Sequence, residues 1–332
     1  MANNLVYDNE NNHTLSNAQT VTIDDIVYGK IASSSEIDFY RIVFNGSGKV
    51  AFRLNIPANA KYYMRLMDAN VNVLAEVGGD VGVQRNIEYS VEANVPYIVR
   101  INASNSTNIV PNAYYNLQFI PKVATNISIN LSKSITFGEE PASYTYAVTP
   151  SDAYVDMNIT NTNNNININS HYIQAVNHGM DTIVITDNLS GICRSADIMS
   201  MPTPEAVPQK ASGYCFASCL HTLDKMWGGT YNQDDPGIRS DGKVLINNSI
   251  VRWELGGATC QSIKNAIDEG NYCLVYITGR YEHWVIAYYA SSASTEGIKV
   301  IDTNHPSNST LAAAMDHHGS NTISQNRITY KA

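Results

Sequence analysis

The chain has 332 residues, too many for one ordinary core, and its 44% apolar and 15% charged content is that of a folded protein of two or three domains. A formal net charge of −9 with no basic run argues against a nucleic-acid partner. No apolar stretch approaches the roughly 18 residues needed to span a bilayer, and Met1-Ala2-Asn3-Asn4 has neither the charged nor the apolar region of a signal peptide, so the chain is expected to be cytosolic or to begin after a removed signal.

Residues 1–122 read as short strands separated by turns. Ile37, Phe39, Ile42 and Phe44 are followed by Asn45-Gly46-Ser47-Gly48, a turn signal, and 50–56 alternates strictly as a half-buried strand does. Runs at 62–67, 84–91, 97–101 and 114–120 continue the pattern, which predicts a β-sandwich. Residues 123–200 form a second all-β block, with alternation at 127–131, 144–148 and 183–185. In the Asn-rich run 161–169, Ile166 and Ile168 alternate with Asn, so it is read as a turn entering a strand. Three prolines within 202–208 predict an extended, stiff linker over 201–208.

From Cys215 the period becomes helical. Phe216, Cys219, Leu220, Leu223 and Trp227 share a face, and Gly228-Gly229 stops the helix. A second helix is expected over 259–269, with Ile263, Ala266 and Ile267 inward and Gly270 as its stop. Strands are expected at 272–278, 283–290 and 297–302, with 321–330 closing the sheet, so residues 209–332 read as an α+β domain.

Five cysteines are an odd number, and none precedes Cys193, so the β-rich front part does not rest on disulfides. Their spacing gives no zinc pattern. Cys215 opens its helix, where the N-terminal dipole favours thiolate. His283 shares a strand face with Val285 and Ala287 and can supply a base; Asp302, at the end of the next strand, can fix its tautomer. Gln209 and the Cys215 backbone N–H are candidate oxyanion donors.

The order Gln209, Cys215, His283, Asp302, with Gln-x5-Cys followed by an aromatic residue and a helix, resembles the papain-like cysteine peptidases. The aromatic after the nucleophile is Phe216 where that superfamily commonly has Trp, and His283-Trp284-Val285 also resembles the family. The short distance from Cys to His and the Asp in third place are closer to the compact bacterial branch that includes bacteriocin leader peptidases. The resemblance covers 205–332 and implies peptide-bond hydrolysis through an acyl-enzyme; no transporter segment accompanies it, so double-glycine specificity is not carried over. Asp38-Phe39-Tyr40 with Gly46-Ser47-Gly48-Lys49-Val50 resembles the jelly-roll domains attached to secreted bacterial peptidases. Val148-Thr149-Pro150-Ser151-Asp152-Ala153 and Gly179-Met180-Asp181-Thr182-Ile183-Val184-Ile185 resemble bacterial Ig-like modules. These resemblances imply an extracellular protein whose two β-sandwich domains present substrate or bind an extracellular-matrix or cell-surface ligand.

Each candidate also has a plainer reading. Cys215 or His283 alone would be an ordinary core residue, Asp302 could simply end a strand, and Asn304 is an alternative orienting group. Cys219 is expected in the core; Cys260 and Cys273 are expected in the core or in a disulfide. His221 is expected at the surface, and His305, His317 and His318 in a polar loop where a metal is a minor possibility. Asp8-Asn9-Glu10-Asn11 could bind calcium, as related jelly-roll domains do. Residues 230–257, which include Trp253, are long enough to wall a substrate cleft. The expected function is a secreted cysteine peptidase acting on protein or peptide substrates. A thiol amidase, acyltransferase or peptidoglycan hydrolase on the same machinery, or a non-catalytic adhesin, are the alternatives.

Overall fold

The computed structural model describes residues 4–105, 107–230, 232–234 and 251–331. The protein is mostly β-sheet. The first ten strands are β1 (Asn4–Tyr7), β2 (Gln19–Val21), β3 (Asp25–Gly29), β4 (Ile37–Val43), β5 (Gly48–Asn55), β6 (Tyr62–Asp68), β7 (Val73–Val77), β8 (Arg85–Val91), β9 (Pro96–Ala103) and β10 (Tyr115–Pro121). They form two five-stranded sheets, β1-β3-β10-β5-β8 and β2-β4-β9-β6-β7. The strict alternation of β5 buries Val50, Phe52 and Leu54, which share one core with Tyr40 and Ile42 of β4 and Val99 and Ile101 of β9. Strands β1, β2, β3 and β7 escape the sequence pattern because they are short or lie at sheet edges.

Eight strands follow: β11 (Asn126–Leu131), β12 (Ile135–Phe137), β13 (Ala142–Thr149), β14 (Met157–Asn161), β15 (Ile166–Ile168), β16 (Tyr172–Ala175), β17 (Gly179–Asp187) and β18 (Cys193–Met201). Their sheets run β11-β13-β16-β15 and β12-β18-β17-β14. The Asn-rich run wraps a buried carboxylate. Asp181 accepts the backbone N–H groups of Thr162, Asn163, Asn165 and Ile166 and the side-chain amide of Asn161. Burial pushes its pKa up, but these hydrogen bonds outweigh burial and hold it at about 2.

The chain divides into two compact units. One comprises Met1–Ile129, Tyr146–Ile159 and Ile185–Arg194; the other comprises Asn130–Thr145, Thr160–Val184 and Ser195–Ala332. His178 shows why residues 160–184 belong to the second. Its Nδ1 accepts from Trp227 Nε1 at 3.0 Å, which leaves Nε2 to carry the proton and donate to the Gly270 carbonyl at 2.9 Å.

The rest of the second unit is a five-stranded antiparallel sheet with helices on both faces. The strands are β19 (Val251–Gly256), β20 (Tyr272–Gly279), β21 (His283–Ala290), β22 (Ile298–Ile301) and β23 (Ser320–Lys331), in the order β19-β23-β20-β21-β22. Helix α1 (Cys215–Met226) packs Cys219, Leu220 and Leu223 against Tyr272, Leu274 and Ile286. Helices α2 (Cys260–Asp268) and α3 (Leu311–His317) pack Ile263, Ile267, Leu311 and Ala314 with Cys273, Val275, Val285 and Ala287, which alternate with those residues and so face the other way.

Residues 320–331 join the sheet as expected, between β19 and β20. The expected cleft-wall loop, 230–257, ends in strand β19, and most of the remainder, with the side chain of Trp253, lies outside the described residues. The Pro-rich segment is extended but is no free spacer. Ser218 Oγ donates to the Val207 carbonyl at 2.5 Å, Val207 N–H donates to Thr222 Oγ1 at 2.9 Å, and Tyr272 Oη donates to the Pro202 carbonyl at 2.6 Å.

Candidate active site

Cys215 is the first residue of α1 and His283 the first of β21. Strand parity sets His283 on the face of Val285 and Ala287, away from α1. The two residues meet because each stands at the start of its element. The N-cap of α1, Tyr214, makes no side-chain capping bond, so the first-turn N–H groups stay unclaimed by a cap beside the sulfur.

His283 and the backbone N–H groups of Trp284 and Phe216 lie close enough to the thiol to act on its ionisation. Burial raises the thiol's pKa, yet His283 and these amides together prevail, so the thiol is more acidic than an ordinary one. His283 is 3% exposed. Burial acts to lower its pKa, but the hydrogen bond to Asp302, the nearby Cys215 and the charges of both raise it to about 9. Both shifts favour a thiolate–imidazolium pair.

Asp302, one residue past β22 and 1% exposed, is the hub behind that pair. Its Oδ1 accepts from His283 Nε2 at 2.9 Å and from the backbone N–H of Asn304 and of His305, each at 3.0 Å. Its Oδ2 accepts from Asn308 Nδ2 at 2.9 Å and His318 Nε2 at 3.1 Å. Burial opposes ionisation, but the His283 and Asn308 bonds hold the carboxyl well below the usual carboxylate range. An ionised carboxylate only accepts, so both imidazoles carry their proton on Nε2. That leaves His283 Nδ1 to face the thiol.

Gln209 is held near this hub. Its backbone N–H donates to the Thr303 carbonyl at 3.4 Å. Its Nε2 donates to the Ala211 carbonyl at 2.5 Å, and its Oε1 is buried without a hydrogen-bond partner. Asn304, the alternative orienting group, turns its amide to His305 Nε2 at 3.0 Å rather than to His283.

Phe216 and Trp284, which follow the two reactive residues, lie ring to ring at 4.7 Å; Tyr276 stacks on Trp284 at 4.8 Å, and the Arg327 guanidinium sits 5.2 Å from the Trp284 ring. Cys219 is buried, as expected, and its Sγ donates to the Trp284 carbonyl at 3.4 Å, so α1 holds that peptide unit. Cys260 is half-buried and Cys273 buried; all five cysteines are free thiols, so no disulfide forms. His221 is half-buried rather than at the surface.

His318 is the main departure from the sequence reading. It is 8% exposed, caps the C-terminal end of α3 and stacks on His283 with centroids 4.0 Å apart. His305 and His317 pair at 3.8 Å beside it. The run Thr310-Leu311-Ala312-Ala313-Ala314, a capping residue before good helix formers, is the signal that places His318 at a helix end instead of in a polar loop. His283, Asp302 and His318 are close enough to hold a metal. However, each Nε2 is spent on a separate Asp302 oxygen, which makes the group a hydrogen-bonded relay and not an open ligand set.

A second cluster lies in the first unit, where His13, Glu36 and Asp38 converge. Asp8 accepts the backbone N–H of Glu10 at 2.9 Å and of Lys30 at 3.3 Å, and its charge reaches Asp38. Asp38 is fully buried, its Oδ2 accepts from Tyr115 Oη at 2.5 Å, and its Oδ1 accepts no hydrogen bond, with His13 Nδ1 3.4 Å away. Both amide atoms of buried Asn12 also lack a hydrogen-bond partner.

No protein-family model matches the chain, and no curated protein matches it. Among solved structures, the pre-peptidase C-terminal domain of a collagenase from Bacillus anthracis aligns at a TM-score of 0.27 with 10% identity, covering 31% of this chain and 93% of that one. A β-glucuronidase from Bifidobacterium dentium aligns at a TM-score of 0.16 with 11% identity, covering 52% of this chain and 40% of that one. Among the described residues, no helix is long and apolar enough to cross a membrane.

Proposed function

We propose that the protein is an extracellular cysteine peptidase whose nucleophile is Cys215, carried on a papain-like domain behind a jelly-roll-like and an Ig-like domain. One observation carries this reading. A thiol at a helix start lies beside an imidazole that makes it more acidic, and the far nitrogen of that imidazole is 2.9 Å from a buried carboxylate.

In the proposed reaction the Cys215 thiolate adds to the scissile carbonyl. The developing oxyanion takes the Cys215 backbone N–H and the second Nε2 hydrogen of Gln209, the first being held by Ala211. As the C–N bond breaks, the departing amine takes the Nδ1 proton of His283 and a thioester remains. Neutral His283 then accepts a proton from water through Nδ1. The water oxygen cleaves the thioester, and the thiol–imidazole pair is restored. Asp302 keeps Nε2 protonated throughout, so Nδ1 is always the nitrogen that exchanges the proton.

A peptide library, a cell-wall digest and an amine-incorporation assay, each run with the full chain beside Cys215→Ala, test this reading. Peptide cleavage that is absent in the variant supports it. Cleavage that survives the substitution removes Cys215 as nucleophile; amine incorporation without hydrolysis moves the activity to acyl transfer.

The front domain is proposed to bind calcium through Asp38, Glu36 and Asn12 with Asp8 close by, in a structural role.

A further inference from the structure

We infer that His318 is a positioning residue of the Cys215 centre: its Nε2–H anchors the outer oxygen of Asp302, and its ring, stacked on His283, fixes the plane in which His283 meets the thiol. The inference deepens the proposed nucleophile assignment and rests on it.

The geometry leaves His318 little else to do. It follows α3, on the sheet face where parity puts His283, and Asp302 stands one residue past β22. Two side chains hold Asp302 Oδ2: Asn308 at 2.9 Å and His318 at 3.1 Å. Removing His318 leaves Oδ2 held by Asn308 alone, which loosens the carboxylate, and rotation about its Cβ–Cγ bond moves Oδ1 away from His283 Nε2. The 4.0 Å stack, tilted by only 22°, blocks the ring flip that would take Nδ1 off the thiol.

The groups around His318 favour a neutral donor there. His283 faces it from β21, Asp302 and His305 from the segment after β22, and His317 from α3. Burial first, then the positive charge of His283, keeps its pKa below the ordinary imidazole value despite the Asp302 bond. A neutral Nε2–H tautomer still donates to Asp302, and it adds no second charge against the imidazolium it stacks on.

The test is the rate at which iodoacetamide alkylates Cys215 at pH 6, followed by mass spectrometry on the full chain, in wild type, His318→Ala and His318→Gln. Glutamine carries an N–H as many bonds from Cα as His Nε2. Loss of a hydrogen bond to a charged group predicts that Ala slows alkylation about tenfold, and that Gln recovers it to within about threefold of wild type. Thermal melts of all three variants report folding separately. A merely structural histidine would give equal rate losses in both variants, tracking their melting temperatures, and that result overturns the inference. Wild-type rates in His318→Ala also overturn it, as does a wild-type Cys215 no faster than an unstructured thiol. The readout needs no substrate: fast alkylation that responds to position 318 without any peptide cleavage would remove the peptidase reading and leave the positioning role standing.

Discussion

The pKa shifts of Cys215 and His283 set opposite edges of the working pH range. Activity needs thiolate and imidazolium together. The acid limb is set by the thiol, which burial pushes up and His283 with the neighbouring backbone N–H groups together pull further down, so it lies below the ordinary thiol value. The base limb is set by His283, raised to about 9, and activity should fall as pH rises through that value. Asp302→Asn removes the charge that supports the imidazolium. Its base limb should therefore move down towards the ordinary histidine pKa, and kcat/KM should drop by roughly 10²-fold. A pH profile of kcat/KM for both proteins checks this; an unmoved base limb would mean that Asp302 does not raise His283. Cys215, His283 and Asp302 stand at or beside element starts and ends that period and parity make readable, whereas Gln209 lies in the extended segment before α1 and stands out only by its spacing from Cys215. Asn308 and His318 were hidden. Asn308 sits in a turn with no periodicity, and the helix before His318 is only seven residues long, too short for its single Thr cap to stand out.

At the level of elements, α2 carries a signal that sequence and structure share. Thr259 Oγ1 accepts the Ser262 N–H at 3.1 Å while Ser262 Oγ accepts the Thr259 N–H at 3.3 Å, a reciprocal cap. Thr259→Ala should cost about 1 kcal/mol of stability, measured by urea unfolding. The Cys215 alkylation rate should stay close to wild type, because the cap lies at the exposed end of a helix that touches β21 through Ile263 and Ile267. A large fall in that rate would show that α2 sets the position of His283. Strand β23 marks the limit of pattern reading. Its polar sequence resembles an edge, yet it is interior, with Thr329 Oγ1 donating to the Tyr272 carbonyl at 2.8 Å and Asn326 fully buried. Its neighbour β19 is only six residues long, and it precedes β23 by some seventy residues, beyond what local periodicity registers.

Across the whole molecule, acidity concentrates unevenly, and the first unit holds the sharpest imbalance. Burial, followed by repulsion from Asp8 and Glu36, raises Asp38 to about 7 even though Tyr115 donates to it. A carboxyl buried so close to two others is stabilised by protonation or by a cation. Calcium at about a hundred times its Kd would add roughly 2.7 kcal/mol, which for a domain of this size raises its melting temperature by roughly 10 °C. Calorimetry of the full chain with calcium and with a chelator measures the shift. Asp38→Asn should abolish it, and the transition of the Cys215 domain should not move, because its own carboxylate hub is already satisfied by five hydrogen-bond donors. Superimposable scans with and without calcium would instead assign the raised Asp38 to protonation alone. The front unit would then lose stability as pH climbs towards 7 with nothing to offset the loss, since a carboxyl whose folded pKa exceeds its unfolded one stabilises fully only below the unfolded value.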